Sequence, residues 1–546
     1  MAIHKVTSTR DYLAAELQGR KGHLLRRGFE QISSALAYAS ALLEDPFTPA
    51  AAERAIRRRD ATRVDAFLET LDRAVFANAE SPYRSLFAAA WFNRDDVKTL
   101  VRTEGLEGAL HRLAERGVHI SIEEFKGLRE VRRGRHTFWF SEQAFRNPLI
   151  RSGLIASSGG TQSPGLVTTI AASNHRMGAE HLAAAIAAYG LQELPVIVVL
   201  PQAHGASLWA VLALAAMGKT PPCWFSQLSA RTVGGSSLRL FISTLRLWSR
   251  ARGHPLPSPT HVPFRSERKV LRWITDGGGA HGCGILTTPS TALRLALAAQ
   301  EQGKRLDKVT FITVAEPLTL AKATQIARVG GRAYSSLGFT EFGRVSYGCT
   351  EARAIDDTHI CRDAIAVIQR RRAVDLLGSE VDALLFTSIW PDARRILLNM
   401  ETGDYARMVS RQCGCPLGRL GWSDHLEEIR SFEKLNAEGR LFFGTRLISL
   451  VEEILPQRFG GDPTDYQLVE QEDREGFTRF NIYVHPRLGS IDEGAIRSCV
   501  ARVLRGQNVY HSLIWEETET LQVVRQEPLM TKAGKLMPLH HLSAAH

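Results

Sequence analysis

A segment of small, hydroxylated and glycine residues runs from Ile155 to Gly165 with the sequence IASSGGTQSPG. Glycines tolerate positive φ and close approach, so such a segment can turn its backbone N–H groups toward phosphate oxygens while hydroxyls add donors. The candidate phosphate-binding residues are Ser157, Ser158, Gly159, Gly160, Thr161 and Ser163. No Gly-Lys-Ser/Thr closes the segment, so it is not a Walker loop. The alternative interpretation is a flexible Ser/Gly linker.

A second group of residues has the chemistry of a metal site. Cys349 and His359 form a Cys-x9-His pair, and Cys413 and Cys415 form a Cys-x-Cys pair. Thiolates and imidazole suit tetrahedral Zn²⁺, and a closed site of this kind would join two loops without doing chemistry. Cys361 can replace Cys349 in this set, and buried reduced thiols with a core histidine are the alternative to a metal site.

The elements that must position these residues alternate along the middle of the chain. The apolar runs Val196–Leu200 and Val309–Val314 are strand-like, and the stretches 168–188 and 208–216 have helical patterns. Short β-rich runs separated by helices predict a layered α/β core with a mostly parallel sheet.

The two ends of the chain have a different character. Apolar residues recur at three and four from Asp11 to Arg116, which predicts a helical N-terminal region. Strand-like runs around a helix near Glu493 to Leu504 predict a small α+β C-terminal domain. We therefore expect a helical region at 1–132, a large core at 133–430 and a small mobile domain at 431–546.

Composition restricts the class of protein. The chain has 546 residues, 44% of them hydrophobic and 23% charged, as expected for two or three globular domains. Its formal charge of +11 is spread in groups such as Arg57–Arg59 and Arg370–Arg372, which we interpret as solvated helix faces. No nucleic-acid-binding motif, signal peptide or membrane span is evident. Seven cysteines, an odd number, favour a reducing cytoplasm over a disulfide framework.

Four motifs occur in the order and rough spacing of the adenylate-forming enzymes, which include acyl-CoA synthetases and luciferases. These motifs are Ser157–Pro164, Leu337–Glu341, Thr402–Asp404 and Thr531–Lys535. Within that superfamily the chain most resembles the phenylacetate-CoA ligase and acyl-protein synthetase branch, through Leu286–Ser290, Ala315–Thr319, Thr340–Gly343 and Asp357–Ile360. The resemblance covers roughly residues 135 to 540, and the first 130 residues have no counterpart.

The resemblance implies a reaction and a role for each motif. A carboxylic acid attacks the α-phosphate of Mg-ATP, giving acyl-adenylate and pyrophosphate, and a thiol such as CoA or phosphopantetheine then accepts the acyl group. The Ser/Gly segment would hold phosphates, and Gly338 and Thr340 would contact the nucleotide. Glu341 would ligate Mg²⁺ and Asp404 would bind the ribose. Lys535 would bridge the substrate carboxylate and the α-phosphate, with Lys532 as the alternative. A Cys/His cluster resembling the set above occurs in some members of the branch, which supports a structural Zn²⁺.

The sequence departs from the family in three places. Pro164 precedes Gly165 where the family has a lysine, which removes a basic contact to pyrophosphate unless another arginine supplies it. Leu337 stands where an aromatic residue usually stacks on adenine, and Glu351 is the alternative to Glu341. The usual hinge pattern is blurred at residues 429–434, where Arg430 is the candidate nucleotide contact and Glu433 the hinge acid.

Three functions remain open at this point. The first is transfer of the acyl group to CoA or a carrier-protein thiol. The second is an acyl-protein synthetase that hands the group to a partner enzyme or an amine, with the N-terminal region as docking surface. The third is a catalytically degenerate ATP-binding scaffold.

Overall fold

The computed structural model describes residues 36–157, 167–200, 205–227, 235–263, 266–373, 380–431, 436–437, 440–441, 448–472, 478–505, 521–530 and 536–542. Three sheets organise this part of the chain, and a helical region precedes them. The predicted α/β class with a large parallel sheet and a small C-terminal sheet is confirmed.

The helical region forms because apolar residues recur on one face of successive helices. It contains residues 36–43, α1 (Pro49–Thr70), α2 (Pro82–Ala89), α3 (Arg94–Glu115) and α4 (Ile122–Phe125), followed by the hairpin β1 (Val131–Arg133) and β2 (His136–Phe138). Asn93 caps α3 and Ser121 caps α4 through capping boxes. The region shares one apolar core with the parallel-sheet layer and another with the antiparallel sheet.

The parallel sheet has the strand order β10-β9-β8-β5-β6-β7. Its strands are β5 (Val196–Leu200), β6 (Trp224–Ser226), β7 (Pro259–His261), β8 (Cys283–Thr287), β9 (Val309–Thr313) and β10 (Arg332–Tyr334). The helices that connect and cover them are α5 (Ala172–Ala188), α6 (Ala206–Ala216), α7 (Gly235–Ala251), α8 (Arg268–Asp276), α9 (Pro289–Glu301) and α10 (Leu320–Arg328). Every residue of β5, β8 and β9 is buried, as expected for strands covered on both faces.

The second sheet is antiparallel with the order β13-β14-β18-β17-β16-β15. Its strands are β13 (Ser346–Gly348), β14 (Thr358–Ile360), β15 (Ile365–Ala373), β16 (Glu380–Ser388), β17 (Met400–Ser410) and β18 (Asp424–Ser431). Two short hairpins stand beside these sheets: β3 (Leu154–Ser157) with β4 (Val167–Ile170), and β11 (Gly338–Phe339) with β12 (Gly343–Arg344).

The C-terminal unit has a four-stranded sheet with the order β23-β22-β21-β24. After the short pair β19 (Asn436–Ala437) and β20 (Arg440–Leu441), it comprises α11 (Leu455–Phe459), β21 (Tyr466–Glu472), β22 (Thr478–Val484), α12 (Glu493–Arg505), β23 (Leu521–Arg525) and β24 (Leu539–Leu542). Glu452 of this unit forms a buried ion pair with Lys322 on α10, at 2.7 Å, and accepts a hydrogen bond from Thr319. This contact joins the C-terminal unit to the core.

Two sequence-based expectations were wrong. The helix predicted from residue 168 begins at Ala172, because the β-branched residues Val167–Ile170 form strand β4 instead. The interpretation of the arginine groups as solvated helix faces is wrong only in part, since Arg57 and Arg58 are exposed on α1 as expected. Arg370–Arg372 lies in strand β15, and Arg59 is partly buried in ion pairs with Asp363 and Glu180.

Two further expectations concern the whole chain. All seven cysteines lie in the described ranges, and each is a free thiol. Among the helices of the described residues, none has the length and apolar character that crossing a membrane requires.

Candidate functional site

The Ser/Gly segment lies between two paired strands. Ser157 ends β3 and pairs with Val167 at the start of β4, so the strands bring the two ends of the segment together. The five candidates Ser158, Gly159, Gly160, Thr161 and Ser163 lie outside the described residues, as does the side chain of Ser157. On β4, the buried Thr168 donates a hydrogen bond to the Arg394 carbonyl at 3.3 Å. The base of the segment is therefore fixed to the loop that contains Arg394.

Thr340 and Glu341 form the turn of the β11–β12 hairpin. Gly338 pairs with Arg344, and Gly343 adopts a φ of 87°, a conformation that favours glycine. Burial raises the pKa of the Glu341 carboxyl above its usual value. Glu341 makes no ion pair with a residue of the described ranges. Arg395 and Lys126 act on this carboxyl only through longer-range charge, so a carboxylate here can ligate a metal ion.

Asp404 lies within strand β17 and not in a hairpin turn. Gly403 has a φ of 81°, and the pairing with β16 shifts register here, so residues 402–404 bulge out of the strand. The Thr402 hydroxyl donates to the Asp404 carboxylate at 2.9 Å. A bulge redirects side chains at the edge of a site, and here it presents the hydroxyl and carboxylate as one polar group.

Arg430 stands beside Asp404 on the neighbouring strand, where it pairs with Tyr405. Its guanidinium is already engaged, since Nη1 donates to Asp356 Oδ2 at 2.8 Å. Asp356 also accepts hydrogen bonds from the backbone N–H groups of Glu428 and Ile429. The strand pairing sets Arg430 opposite Tyr405 and not opposite Asp404. Arg430 is held by the carboxylate of Asp356, which sequence reasoning did not consider. Glu433, Lys532 and Lys535 lie outside the described residues.

The four predicted metal ligands converge. Cys349 follows β13, His359 lies on β14, and Cys413 and Cys415 are in the loop between β17 and β18. One ligand atom from each lies within 4.8 Å of the others. His359 Nε2 is 3.0 Å from Cys415 Sγ and 3.6 Å from Cys413 Sγ. Cys361 is fully buried in the apolar core and is not in this group, so Cys349 is the member of the set.

The surroundings of this Cys/His cluster fit a tetrahedral zinc ion. His359 Nδ1 lies 2.6 Å from the Trp422 carbonyl, an acceptor that places the proton on Nδ1 and leaves Nε2 free to bind a metal. Backbone N–H groups of Glu351 and Gly418 donate to the sulfurs of Cys349 and Cys415, at 3.3 Å each. A hydrogen bond from the Cys349 thiol lowers the pKa of Cys415, since it stabilises the thiolate. Thiolate is the form that binds a metal.

Gly418 makes room for the cluster. A Cβ atom at this position would lie 2.9 Å from Cys413 Sγ and 3.8 Å from Cys415 Sγ.

Glu351, the alternative to Glu341, lies near the Cys/His cluster, since its N–H group donates a hydrogen bond to Cys349 Sγ. Beyond the ligands, Asp357 pairs with His425 at 2.6 Å and with Arg411. The cluster therefore has its own supporting polar shell.

Comparison with solved structures places this arrangement among known folds. A 2-hydroxyisobutyryl-CoA ligase, solved in the postadenylation state in complex with R3-HIB-AMP, superposes with a TM-score of 0.51 at 12% identity. The match covers 88% of this chain and 89% of that one. This chain has the adenylate-forming ligase fold.

The adenylate-forming ligase fold is supported by structure and not by close sequence relatives. No protein-family model matches the chain, and no curated protein matches it. The O-succinylbenzoate-CoA synthetase of Bacillus subtilis, solved with AMP, gives a TM-score of 0.39 at 12% identity, over 70% of this chain and 67% of that one. The resemblance is confirmed at the level of fold by the 2-hydroxyisobutyryl-CoA ligase match alone, and the phenylacetate-CoA ligase branch stays a prediction.

Within the adenylate-forming ligase fold, the structure adds two arginines that sequence reasoning missed. Arg344 ends β12, and Arg394 lies in the connection between β16 and β17. Arg394 Nη1 donates to the Thr340 carbonyl at 3.4 Å, so its guanidinium stands beside the Glu341 turn. The sequence around Arg394 and Arg344 does not predict these positions, because the residues that surround each guanidinium are distant along the chain.

Proposed function

We propose that this protein is an AMP-forming carboxylate ligase, which activates an acid as acyl-adenylate and transfers the acyl group to a thiol. The supporting observation is the adenylate-forming fold over 88% of the chain, with the four motifs in the order found in adenylate-forming enzymes. The hairpin that carries Glu341 and the bulge that carries Asp404 belong to adjoining parts of that fold. CoA is the acceptor that we favour, because the matched enzyme is a CoA ligase.

The residues would divide the work as follows. Ser157, Ser158, Gly159, Gly160, Thr161 and Ser163 would bind the phosphates, Gly338 and Thr340 the nucleotide, and Asp404 the ribose hydroxyls. Glu341 would hold Mg²⁺, which neutralises charge on the phosphate oxygens when bound. Lys535 would bind the substrate carboxylate and the α-phosphate together, so that the attacking oxygen lies close to phosphorus. Arg430, with Asp356, would line the nucleotide site from the adjacent strand.

We also propose that Cys349, His359, Cys413 and Cys415 hold a structural Zn²⁺. The support is a set of four ligand atoms within 4.8 Å of one another, with the His359 tautomer fixed by a carbonyl. All four positions of a tetrahedral ion are taken by protein ligands, which suits a structural site and leaves no position for substrate.

Domain rotation between the two half-reactions is part of this proposal. The Glu452 contact to Lys322 and Thr319 joins the C-terminal unit to the core in one arrangement. A rotation would exchange this ion pair for solvent or for another partner.

A reducing cytoplasm is the compartment that we propose for the reaction, because all seven cysteines are free thiols.

Release of AMP and pyrophosphate from Mg-ATP, with hydroxylamine as a trap, tests the proposal across a panel of aryl, fatty and amino acids. We expect an acid-dependent signal with at least one class of acid. Lys535→Ala should abolish that signal while ATP binding and the unfolding temperature stay near wild type.

The negative outcomes separate the rival functions. Folded protein that binds ATP but activates no acid would favour a synthetase that needs a partner enzyme. Folded protein that binds no ATP would favour the degenerate scaffold. AMP formation at the wild-type rate by Lys535→Ala would reject the role of that lysine.

A further inference from the structure

Arg344 and Arg394 both lie close to the backbone of the β11–β12 hairpin that carries Glu341. The guanidinium of Arg394 lies over Gly343, where an added Cβ atom would be 3.1 Å from Arg394 Cζ. The side chain of Arg344 lies beside Gly338, where an added Cβ atom would be 3.1 Å from Arg344 Nη1. Both glycines therefore admit a guanidinium close to the backbone of the hairpin.

The hydrogen-bond partners of both guanidinium groups within the described residues are neutral. Arg394 donates to Asn174 Oδ1 at 3.1 Å and to the Thr340 carbonyl at 3.4 Å. Arg344 donates to the Ser336 hydroxyl at 3.2 Å, and its buried Nε atom has no hydrogen-bond partner among the described residues. Within those residues, neither arginine has a carboxylate at ion-pairing distance.

Partly buried arginines elsewhere in the chain are arranged differently. Arg59 pairs with Asp363 at 2.9 Å, Arg133 with Glu124 at 2.8 Å, and Arg430 with Asp356 at 2.8 Å. Taking a cation out of water costs free energy that a nearby carboxylate offsets. The pair at the hairpin has no carboxylate at ion-pairing distance, and Arg394 feels the charge of Glu341 only at longer range, so a further anion would add to its stabilisation.

The two charges also act on each other. Burial, and to a smaller extent repulsion from Arg344, lower the pKa of Arg394 to about 10. That value still leaves the guanidinium protonated at neutral pH. The hairpin therefore carries two positive charges that would be stabilised by an anion.

The position of the pair indicates which anion. The Arg394 guanidinium donates to the carbonyl of Thr340, next to the candidate Mg²⁺ ligand Glu341. The backbone carbonyl of Arg394 accepts a hydrogen bond from Thr168, on the strand that follows the Ser/Gly segment. Guanidinium groups match phosphate oxygens in geometry and charge. A nucleotide whose phosphates meet both the magnesium ligand and the base of that segment would pass these arginines.

We propose that Arg394, with Arg344 behind it, binds the polyphosphate of the nucleotide and holds the pyrophosphate as it leaves. In that step a bond forms between a carboxylate oxygen and the α-phosphorus, and the bond from that phosphorus to the bridging oxygen breaks. The electron pair goes to pyrophosphate, whose new negative charge faces the two cations. This inference rests on the proposed function, since it assigns the basic contact that Gly165 cannot make.

Calorimetric titration of Mg-ATP, AMP and magnesium pyrophosphate into wild type and Arg394→Gln tests the proposal without any acid substrate. We expect Arg394→Gln to bind ATP and pyrophosphate roughly 10- to 100-fold more weakly, as loss of a charge-assisted contact predicts, with AMP changed much less. Arg394→Lys should bind with an affinity between those of wild type and Arg394→Gln, because lysine keeps the positive charge but cannot donate two parallel hydrogen bonds to phosphate. Arg371→Gln removes an exposed arginine, 76% accessible, and should leave all three affinities unchanged.

Each other outcome has a defined meaning. Equal affinities for wild type and Arg394→Gln, or an equal loss for ATP and AMP, would overturn the phosphate contact. In the separate assay of acid-dependent AMP formation, an increase only in the KM of the acid, with pyrophosphate binding intact, would overturn it and assign the arginine to the substrate carboxylate. Wild-type protein that binds neither ATP nor pyrophosphate would reject the proposed function itself. Thermal unfolding checks that the variant folds, and Arg344→Gln, with a smaller expected loss of the same kind, replaces it where it does not.

Discussion

The Cys/His cluster and the pair Arg344 and Arg394 beside Glu341 are both groups of polar or charged side chains close together, but their surroundings differ. At the cluster, two backbone N–H groups donate to sulfur and a carbonyl fixes His359, so the chain supplies every supporting contact. At the hairpin, two cations meet only neutral acceptors within the described residues. A site that stabilises the fold can be completed by its own chain, whereas a site that takes a ligand needs positions that the chain leaves open.

The largest expected effect comes from opening the closed site. Cys415→Ser should lose the metal and destabilise the fold by more than about 4 kcal/mol, since loss of a structural metal is among the most damaging single changes. Zinc content and thermal unfolding measure this, and Cys223→Ser, a half-buried thiol outside the cluster, is the control. Wild-type protein that keeps its unfolding temperature after the metal is removed by a chelator would contradict a structural role.

The next effect concerns the open site. Glu341→Gln should lower the rate of AMP formation roughly 100-fold, because the amide is a poor ligand for Mg²⁺. Titration of the rate with Mg²⁺ should show a higher metal requirement, while the unfolding temperature stays near wild type. Glu351→Gln is the matched comparison, and a larger loss in that variant would transfer the role to Glu351.

A smaller change tests how tightly the cluster is packed. Gly418→Ala places a Cβ atom 2.9 Å from Cys413 Sγ. Overpacking of this kind costs roughly 1–3 kcal/mol, so we expect weaker zinc retention and a lower unfolding temperature. Gly414→Ala is not an equivalent control, because Gly414 has a φ of 75°, and Gly494→Ala, with its nearest atom at 3.2 Å, is the better one. Zinc retention equal to wild type would show that the loop gives way.

The smallest effect uses a third group of charges. His119 lies beside Arg370 and Arg133, yet here carboxylates balance the arginines, with Glu124 bound to Arg133. Burial, and then the charge of Arg133, lower the pKa of His119 to about 3. Below pH 6.5 the unfolded chain takes up a proton that the folded chain refuses, so stability falls as the pH drops toward 3.

His119→Gln should remove this acid sensitivity. We expect its unfolding free energy to fall by about 1 kcal/mol less than that of wild type between pH 6.5 and 5.5, as measured by denaturant titration. Parallel pH profiles for the two proteins would show that His119 is protonated in the folded state.

The sequence predicted the closed site better than the open one. Cys413 and Cys415 are two residues apart, so their convergence needs little tertiary information, and strand β5 follows directly from five consecutive apolar residues. The contact between Arg394 and Asn174 joins residues 220 positions apart, and the one to Thr340 joins residues 54 apart. Such contacts depend on sheet packing, for which an Arg-Arg pair carries no local pattern. Strand β4 was missed because an Ala-rich helix follows it at once.

The hairpin of β17 and β18 connects the Cys/His cluster at its loop to the bulge that carries Asp404. Its loop carries Cys413 and Cys415, and the six steps along the strand from Ser410 to Asp404 span about 20 Å to the bulge. Strand pairing transmits register, because a slip of one residue would turn Asp404 to the opposite face. With the proposed zinc ion at the loop and the proposed ribose contact at Asp404, metal binding would fix the register that orients Asp404. Zinc supply would then set the fraction of molecules that can bind nucleotide.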